Sequence, residues 1–201
     1  MYAQGSQECI RNAEHLFEDA TALLEKKSFG SAQSLIVTAI EEAAKAIILE
    51  LADLKYIGEE VVKQSMSDHR PKKLVFLAIE KGLLFVEQID RRCGSYEVDR
   101  SLMQKLQNML EAPLEDLEKK RQRGFYVQVD VNSGAIVNSP SDIKKFEIEE
   151  FAQKAELFLK VCKALCEIFR EYRVVDKYSI RNNLRIFQEN LEGFTAKYDE
   201  I

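Results

Sequence analysis

The sequence predicts an all-α fold, an up-and-down helical bundle carrying one small extended insert around residues 124–140. Three observations lead there. Only 3 Pro and 8 Gly interrupt 201 residues, so breakers are few and helices run long. Apolar residues make up 46% and charged residues 31%, and the apolar ones recur at helical spacing through most of the chain. One stretch, Phe125 to Val131, alternates with a period of two instead.

The first helix is predicted over 6–27, where Cys9, Ile10, Ala13, Leu16, Phe17, Ala20, Leu23 and Leu24 form one stripe. Ser28-Phe29-Gly30-Ser31 breaks it and caps a second helix over 31–57, with Leu35, Ile36, Ala39, Ile40, Ala43, Ile47 and Leu51 inward. Ser67 or Asp68 caps a third, with Pro71 in its first turn, and that helix fades near Arg91-Arg92-Cys93-Gly94. A fourth is predicted over 98–120, kinked or interrupted at Pro113. Phe125–Val131 then reads as a strand, Asn132-Ser133-Gly134 as a turn and Ala135-Ile136-Val137 as the returning strand. Two strands alone are marginal, so they must pack on the helices. Ser139-Pro140-Ser141-Asp142 opens the longest helix, to about 174, and a helical tail covers about 176–198. No repeat, low-complexity linker or composition shift divides the chain, so a single domain over 1–201 is expected.

Bulk properties narrow the function. No apolar run approaches the roughly 20 residues that cross a bilayer, and no basic-then-apolar leader is visible. The expectation is a cytoplasmic protein with no membrane association. A net charge of −5 excludes a general nucleic-acid coat, but leaves two local basic patches, Arg70-Pro71-Lys72-Lys73 and Lys119-Lys120-Arg121-Gln122-Arg123. Cys9, Cys93, Cys162 and Cys166 fit no zinc or redox spacing and read as small buried hydrophobes. With only His15 and His69, and His15 read as lining a helix surface, no metal and no cofactor is expected.

Three elements depart from plain amphipathic helix. On the second helix, Thr38, Glu41, Glu42 and Lys45 fall opposite Ile36, Ala43 and Ile47. One reading is a solvated face, Glu41 or Glu42 pairing with Lys45 for about 0.2–0.5 kcal/mol. The other is an acidic pair held near a lysine in a cleft, where burial tunes a proton-transfer group. His69, beside Arg70, Lys72 and Lys73, is either a surface residue near a helix cap or a general base that those cations keep neutral. The run from Lys119 to Tyr126 is either a cationic helix end closed by Gly124 at C′, or a phosphate site. In the second case Arg121 or Arg123 offers its planar fork of donors, and Tyr126 stacks on a base or bonds a ribose.

Together these elements resemble the AbiV family of abortive-infection proteins, a branch of the HEPN superfamily. The resemblance covers roughly residues 10–170. It rests on the helix Ser31-Ala32-Gln33-Ser34-Leu35-Ile36-Val37-Thr38-Ala39-Ile40-Glu41-Glu42-Ala43-Ala44-Lys45 and on His69-Arg70-Pro71-Lys72-Lys73. It rests also on the segment from Arg121 through Phe125-Tyr126-Val127-Gln128-Val129-Asp130, and on Pro140. Two departures stand out. Gln128 lies where Asp commonly follows Tyr-Val, with Asp130 close by. The Arg-x(4–6)-His signature of the best-known HEPN ribonucleases is absent, since three residues separate Arg11 from His15. A catalytic site would therefore be assembled from separate helices.

The resemblance implies a HEPN-like bundle, usually a homodimer whose helices wall a cleft. Many superfamily members are metal-independent endoribonucleases acting as toxins or in phage defence; others only bind a nucleotide, RNA or a partner protein. Carried onto this chain, it implies His69, Arg121, Arg123, Glu42 and Lys45 as catalytic residues, with Glu41, Lys72, Lys73, Tyr126 and Asp130 binding substrate. In 2′-OH attack, His69 would be the base, while Arg121, Arg123 or Lys45 would stabilise phosphorane charge. Glu41 or Glu42 would orient those cations, and Tyr126 would position the nucleotide. A cognate inhibitor or a phage-encoded activator is the partner protein expected. The alternatives are a non-catalytic module that binds a nucleotide, RNA or a partner through the same cluster, and a scaffold in which the cluster is structural.

Overall fold

The computed structural model describes residues 2–67, 71–93, 117–130 and 135–174, with isolated positions at 101, 104, 132, 133 and 185. The elements are α1 (Tyr2–Glu25), α2 (Phe29–Asp53), α3 (Glu59–Ser67), α4 (Pro71–Cys93), α5 (Leu117–Phe125) and α6 (Lys145–Val174). Between α5 and α6 lie strands β1 (Gln128–Val129) and β2 (Ile136–Asn138), paired antiparallel, and a 3-10 turn at Pro140–Asp142. The fold is an all-α bundle with a hairpin insert.

Helix α2 is the axis of the bundle. It packs along α1 and touches α4, α5 and α6 as well. Ile36, Val37, Ile40, Ile47, Ile48 and Leu51 are buried in it, with Ala39, Ala43, Ala44 and Ala46 between them. A helix that is apolar nearly all round belongs at the centre. The alanines let neighbouring helices come close, and the branched side chains fill the gaps between turns. Burying each Ile or Leu contributes about 1.5–3 kcal/mol. The opposing walls come from α4 (Val75, Val86, Ile89) and α6 (Phe158, Leu165, Phe169). Cys162 and Cys166 are free thiols buried in the same layer, and Cys9 is half-buried.

Both α1 and α2 end in the same device. Lys27 and Lys55 adopt left-handed backbone angles, with φ 59° and 57°. Ser28 N donates to Leu23 O at 2.9 Å and Lys27 N to Leu24 O at 3.0 Å; Tyr56 N to Leu51 O and Lys55 N to Ala52 O, both at 2.9 Å, repeat the pattern. These are Schellman turns, which satisfy carbonyls that a helix end leaves free.

The observed elements correct several expectations. The second helix does not run to 57; the turn at Lys55 ends it, and α3, not foreseen, follows. The longest helix begins at Lys145 rather than at Ser139. Ser139 and Asp142 close a reciprocal capping box on the 3-10 turn, and Ile143 is then extended and buried, so α6 starts afresh. Helix α5 continues through Phe125, which shortens the first strand to Gln128–Val129. The greater part of the helix expected over 98–120, with its break at Pro113, and nearly all of the tail over 176–198 lie outside the described residues. Among the described residues, no helix is long and apolar enough to cross a membrane.

Candidate functional site

The site begins where the first turns of α2 cross the last turn of α5. A Cβ on Gly124 would lie 2.2 Å from Ser34 Oγ and 2.4 Å from Gly30 O. A Cβ on Gly30 would lie 2.6 Å from Pro140 Cβ and 2.7 Å from Gly124 O. Gly124 is therefore inside the helix and required for close approach; it is not the left-handed C′ residue expected from the sequence. Two polar side chains of α2 lock the crossing. Gln33 Nε2 donates to Lys120 O at 2.6 Å, and Ser34 Oγ donates to Arg121 O at 2.9 Å. Together they fix the rotation of α5 about its axis.

That rotation delivers Arg121 to α2. Its Nη1 donates to Glu41 Oε1 at 3.2 Å, while Lys45 Nζ lies 2.5 Å from Glu42 Oε1. The carboxylate side chains are 14% and 16% exposed, and the two cations 30% each. The face read as solvated is thus largely covered, and Lys45 pairs with Glu42 while Glu41 pairs across the helices. Cys9 of α1 lies near Glu42; burial, then the Glu42 charge, pushes its thiol up to about 11. It therefore sits beside the acid in its neutral form.

Arg123 turns elsewhere. Its Nη2 donates to Asp142 O at 3.2 Å and Nη1 lies 4.0 Å from Glu147 Oε2, with Nε buried and without a partner. Of the two arginines, Arg121 joins the acid pair and Arg123 faces the start of α6. Asp130 is engaged in the hairpin turn, where Oδ1 accepts from Asn132 N, Ser133 N and Ser133 Oγ. The Ser133 hydrogen bonds hold its carboxyl below the ordinary value. Tyr126 follows α5 as a residue 65% exposed, its ring edge-on to Phe125 at 6.3 Å. Lys72 and Lys73 lie in the first turn of α4, their side chains outside the described residues, as His69 is altogether. His15 is exposed on α1, 3.8 Å from Glu18.

The acid pair does not line the apolar cleft of about 270 Å³ between α1 and α6, whose floor is Ala43 and whose walls include Ile10, Phe17 and Leu159. It occupies a helix crossing instead. Among the described residues, no group of three or more His, Cys, Asp or Glu is placed to hold a metal ion. Sequence reasoning missed Gln33, Ser34 and Cys9. The small-residue start of α2 was a signal for the first two, because small residues mark close helix contacts; nothing local marks Cys9. Chemically, two carboxylates turned inward hold two cations that keep solvent-facing surface, an arrangement suited to meeting an anion.

Fold and site define an all-α bundle with a charged cluster set against its central helix. A family model described as AbiV, of the HEPN group, matches residues 1–160. The chain belongs to that family. Comparison with curated proteins found no match, and comparison with solved structures found none.

Proposed function

We propose that this chain is a toxin-type effector of abortive infection whose charged cluster acts on RNA by metal-independent attack of the ribose 2′-OH. One observation carries the reading: Arg121, 80 positions from Glu41 in sequence, is brought onto it beside the Glu42–Lys45 pair. In that reaction a base removes the 2′-OH proton, the oxygen attacks the adjacent phosphorus, and the 5′-oxygen leaves with a proton. His69 is assigned as the base. Arg121 and Lys45 stabilise the added phosphorane charge, and Glu41 and Glu42 hold them in place. Arg123, Lys72 and Lys73 contact flanking phosphates, and Tyr126 stacks on a base. Asp130 supports this last contact through the hairpin turn. A homodimer completes the cleft, and an inhibitor or phage-encoded activator controls it.

The test is cleavage of mixed cellular RNA by purified protein, with and without EDTA. Arg121→Ala and His69→Ala, shown to be folded, should each lose about 10²–10³-fold in rate, the usual effect of removing one positioned catalytic group. Cleavage that needs a divalent ion, or that survives both substitutions, would overturn the assignment. A second reading is a non-catalytic module that holds a nucleotide or RNA. It is favoured by the two carboxylates already matched to cations, which suffices for binding. RNA retention without cleavage, weakened by Arg121→Ala, would establish it.

A further inference from the structure

The cleft between α1 and α6 takes no part in the proposed RNA site. Both helices pack along α2. They meet at Ser6, whose Oγ donates to Cys166 Sγ at 4.0 Å and accepts from Arg170 Nη2 at 3.5 Å. Toward Phe17 and Glu156 a space of about 270 Å³ opens between them. Ile10, Ala13, Phe17 and Leu159 line it over Ala43 of α2. Lys163 Nζ donates to Glu14 Oε1 at 2.6 Å, an ion pair that runs from one wall to the other.

Size, charge and rim each narrow the occupant. Water against such walls finds few partners, and an apolar group that displaces it gains affinity. An apolar cavity of about 150 Å³ already takes benzene, so this one has room for about two fused rings. The wall from Ile10 to Phe17 spans roughly 10 Å of helix, which suits that length, and Phe17 offers a ring to pack on. Five ionisable side chains line the cleft. Glu14 pairs with Lys163 and Glu156 with Lys160. Glu18 lies 3.8 Å from His15 and keeps 76% of its side chain in solvent. The cations are matched and the remaining acid is hydrated, so an ionic head on the ligand would gain nothing. A docking protein would need an apolar patch around the opening. Among the described residues, seven large apolar side chains are exposed, and none is on α1 or lines the cleft. The one on α6, Phe146, precedes Glu156 by roughly 15 Å of helix. We propose that the α1–α6 cleft binds a free, uncharged, apolar molecule about the size of two fused rings. This is independent of the RNA reading.

The experiment is titration of the full chain with 2-naphthol at neutral pH, followed by NMR through methyl groups labelled in Ile, Leu, Val and Ala. The methyls of Ile10, Ala13, Ala43 and Leu159 should shift saturably, and those of Val75 and Ile89 on α4 should not. Two charged counterparts, 2-naphthoate and 2-naphthylmethylammonium, should bind no more tightly than 2-naphthol. Ile10→Trp should occupy the space, and Phe17→Asn should make one wall polar; each should weaken binding at least about tenfold. Phe17 is half-buried, so its variant should keep its helical circular dichroism and decides the matter if Ile10→Trp does not fold. No saturable shift, or affinity retained by the folded variants, would overturn the proposal. So would tenfold tighter binding of either charged counterpart, or shifts produced by phospholipid vesicles and not by 2-naphthol. RNA cleavage is not a readout, so the two proposals fail separately.

Discussion

Glu50 is fully buried in α2, its Oε1 2.8 Å from Arg170 Nε, and Arg170 Nη2 lies 3.5 Å from Ser6 Oγ. Removing the guanidinium leaves a desolvated carboxylate without that partner, which costs about 3–5 kcal/mol, whereas replacing both members with apolar groups costs far less. Arg170→Met should therefore lower the urea midpoint strongly, and Glu50→Leu/Arg170→Met should recover most of the loss. Equal destabilisation by the single and double variants would refute this account. Gly124→Ala probes the site in a similar way. The added methyl meets Ser34 Oγ and the backbone oxygen of Gly30, and overpacking of this kind costs about 1–3 kcal/mol. Ser34→Ala in the same chain should not restore stability, because the Gly30 contact remains. Chemical denaturation of the three chains would decide. Neither Glu50 nor Gly124 could be read from local pattern, since their environments come from elements far away in sequence.

The helix ends lend themselves to the next test. A left-handed angle costs a non-glycine residue about 1–2 kcal/mol, against about 0.5–1 kcal/mol of extra unfolded-state entropy for glycine. Lys27→Gly and Lys55→Gly should each stabilise the protein by about 0.5–1 kcal/mol, or roughly 1–4 °C in Tm. Unchanged or lowered Tm values would contradict the cap geometry. Here the limits of periodicity are visible. The apolar stripes located α1, α2 and the long α6 because packing repeats every turn along each helix. They missed the stop at Asp53 and the separate α3, because a lysine at C′ carries no compositional signal that a glycine would. They also placed the longest helix start at Ser139, whose capping box closes on a 3-10 turn instead.

Across the whole molecule, the buried thiols link stability to alkaline pH. Burial raises Cys166 to about 12, Cys9 to about 11, and Cys162 well above the ordinary 9.0. The native state thus keeps protons that the unfolded state releases from about pH 9. This contribution is complete below that pH and declines as pH rises through the native values, by at most about 1.4 kcal/mol per pH unit per thiol. Urea midpoints should stay level to about pH 8.5 and then fall. Cys166→Ala should flatten part of the slope, and a slope identical to wild type would rule out the thiol's share. The native thiols Cys9, Cys162 and Cys166 should also resist alkylation at pH 8 and react once unfolded.

The all-α bundle and the hairpin at Asn132-Ser133 followed from short-range order, because helical and strand periods and turn residues act within a few positions, while the family followed from the resemblance of a few motifs. The same order supplied every charge of the candidate site and left their pairing open. It was the crossing of α2 and α5, set by Gly30, Gly124, Gln33 and Ser34, that joined Arg121 to Glu41 and sent Arg123 to Glu147. Pairing between distant segments depends on how closely backbones approach and which carbonyls they share, and a linear pattern carries neither quantity.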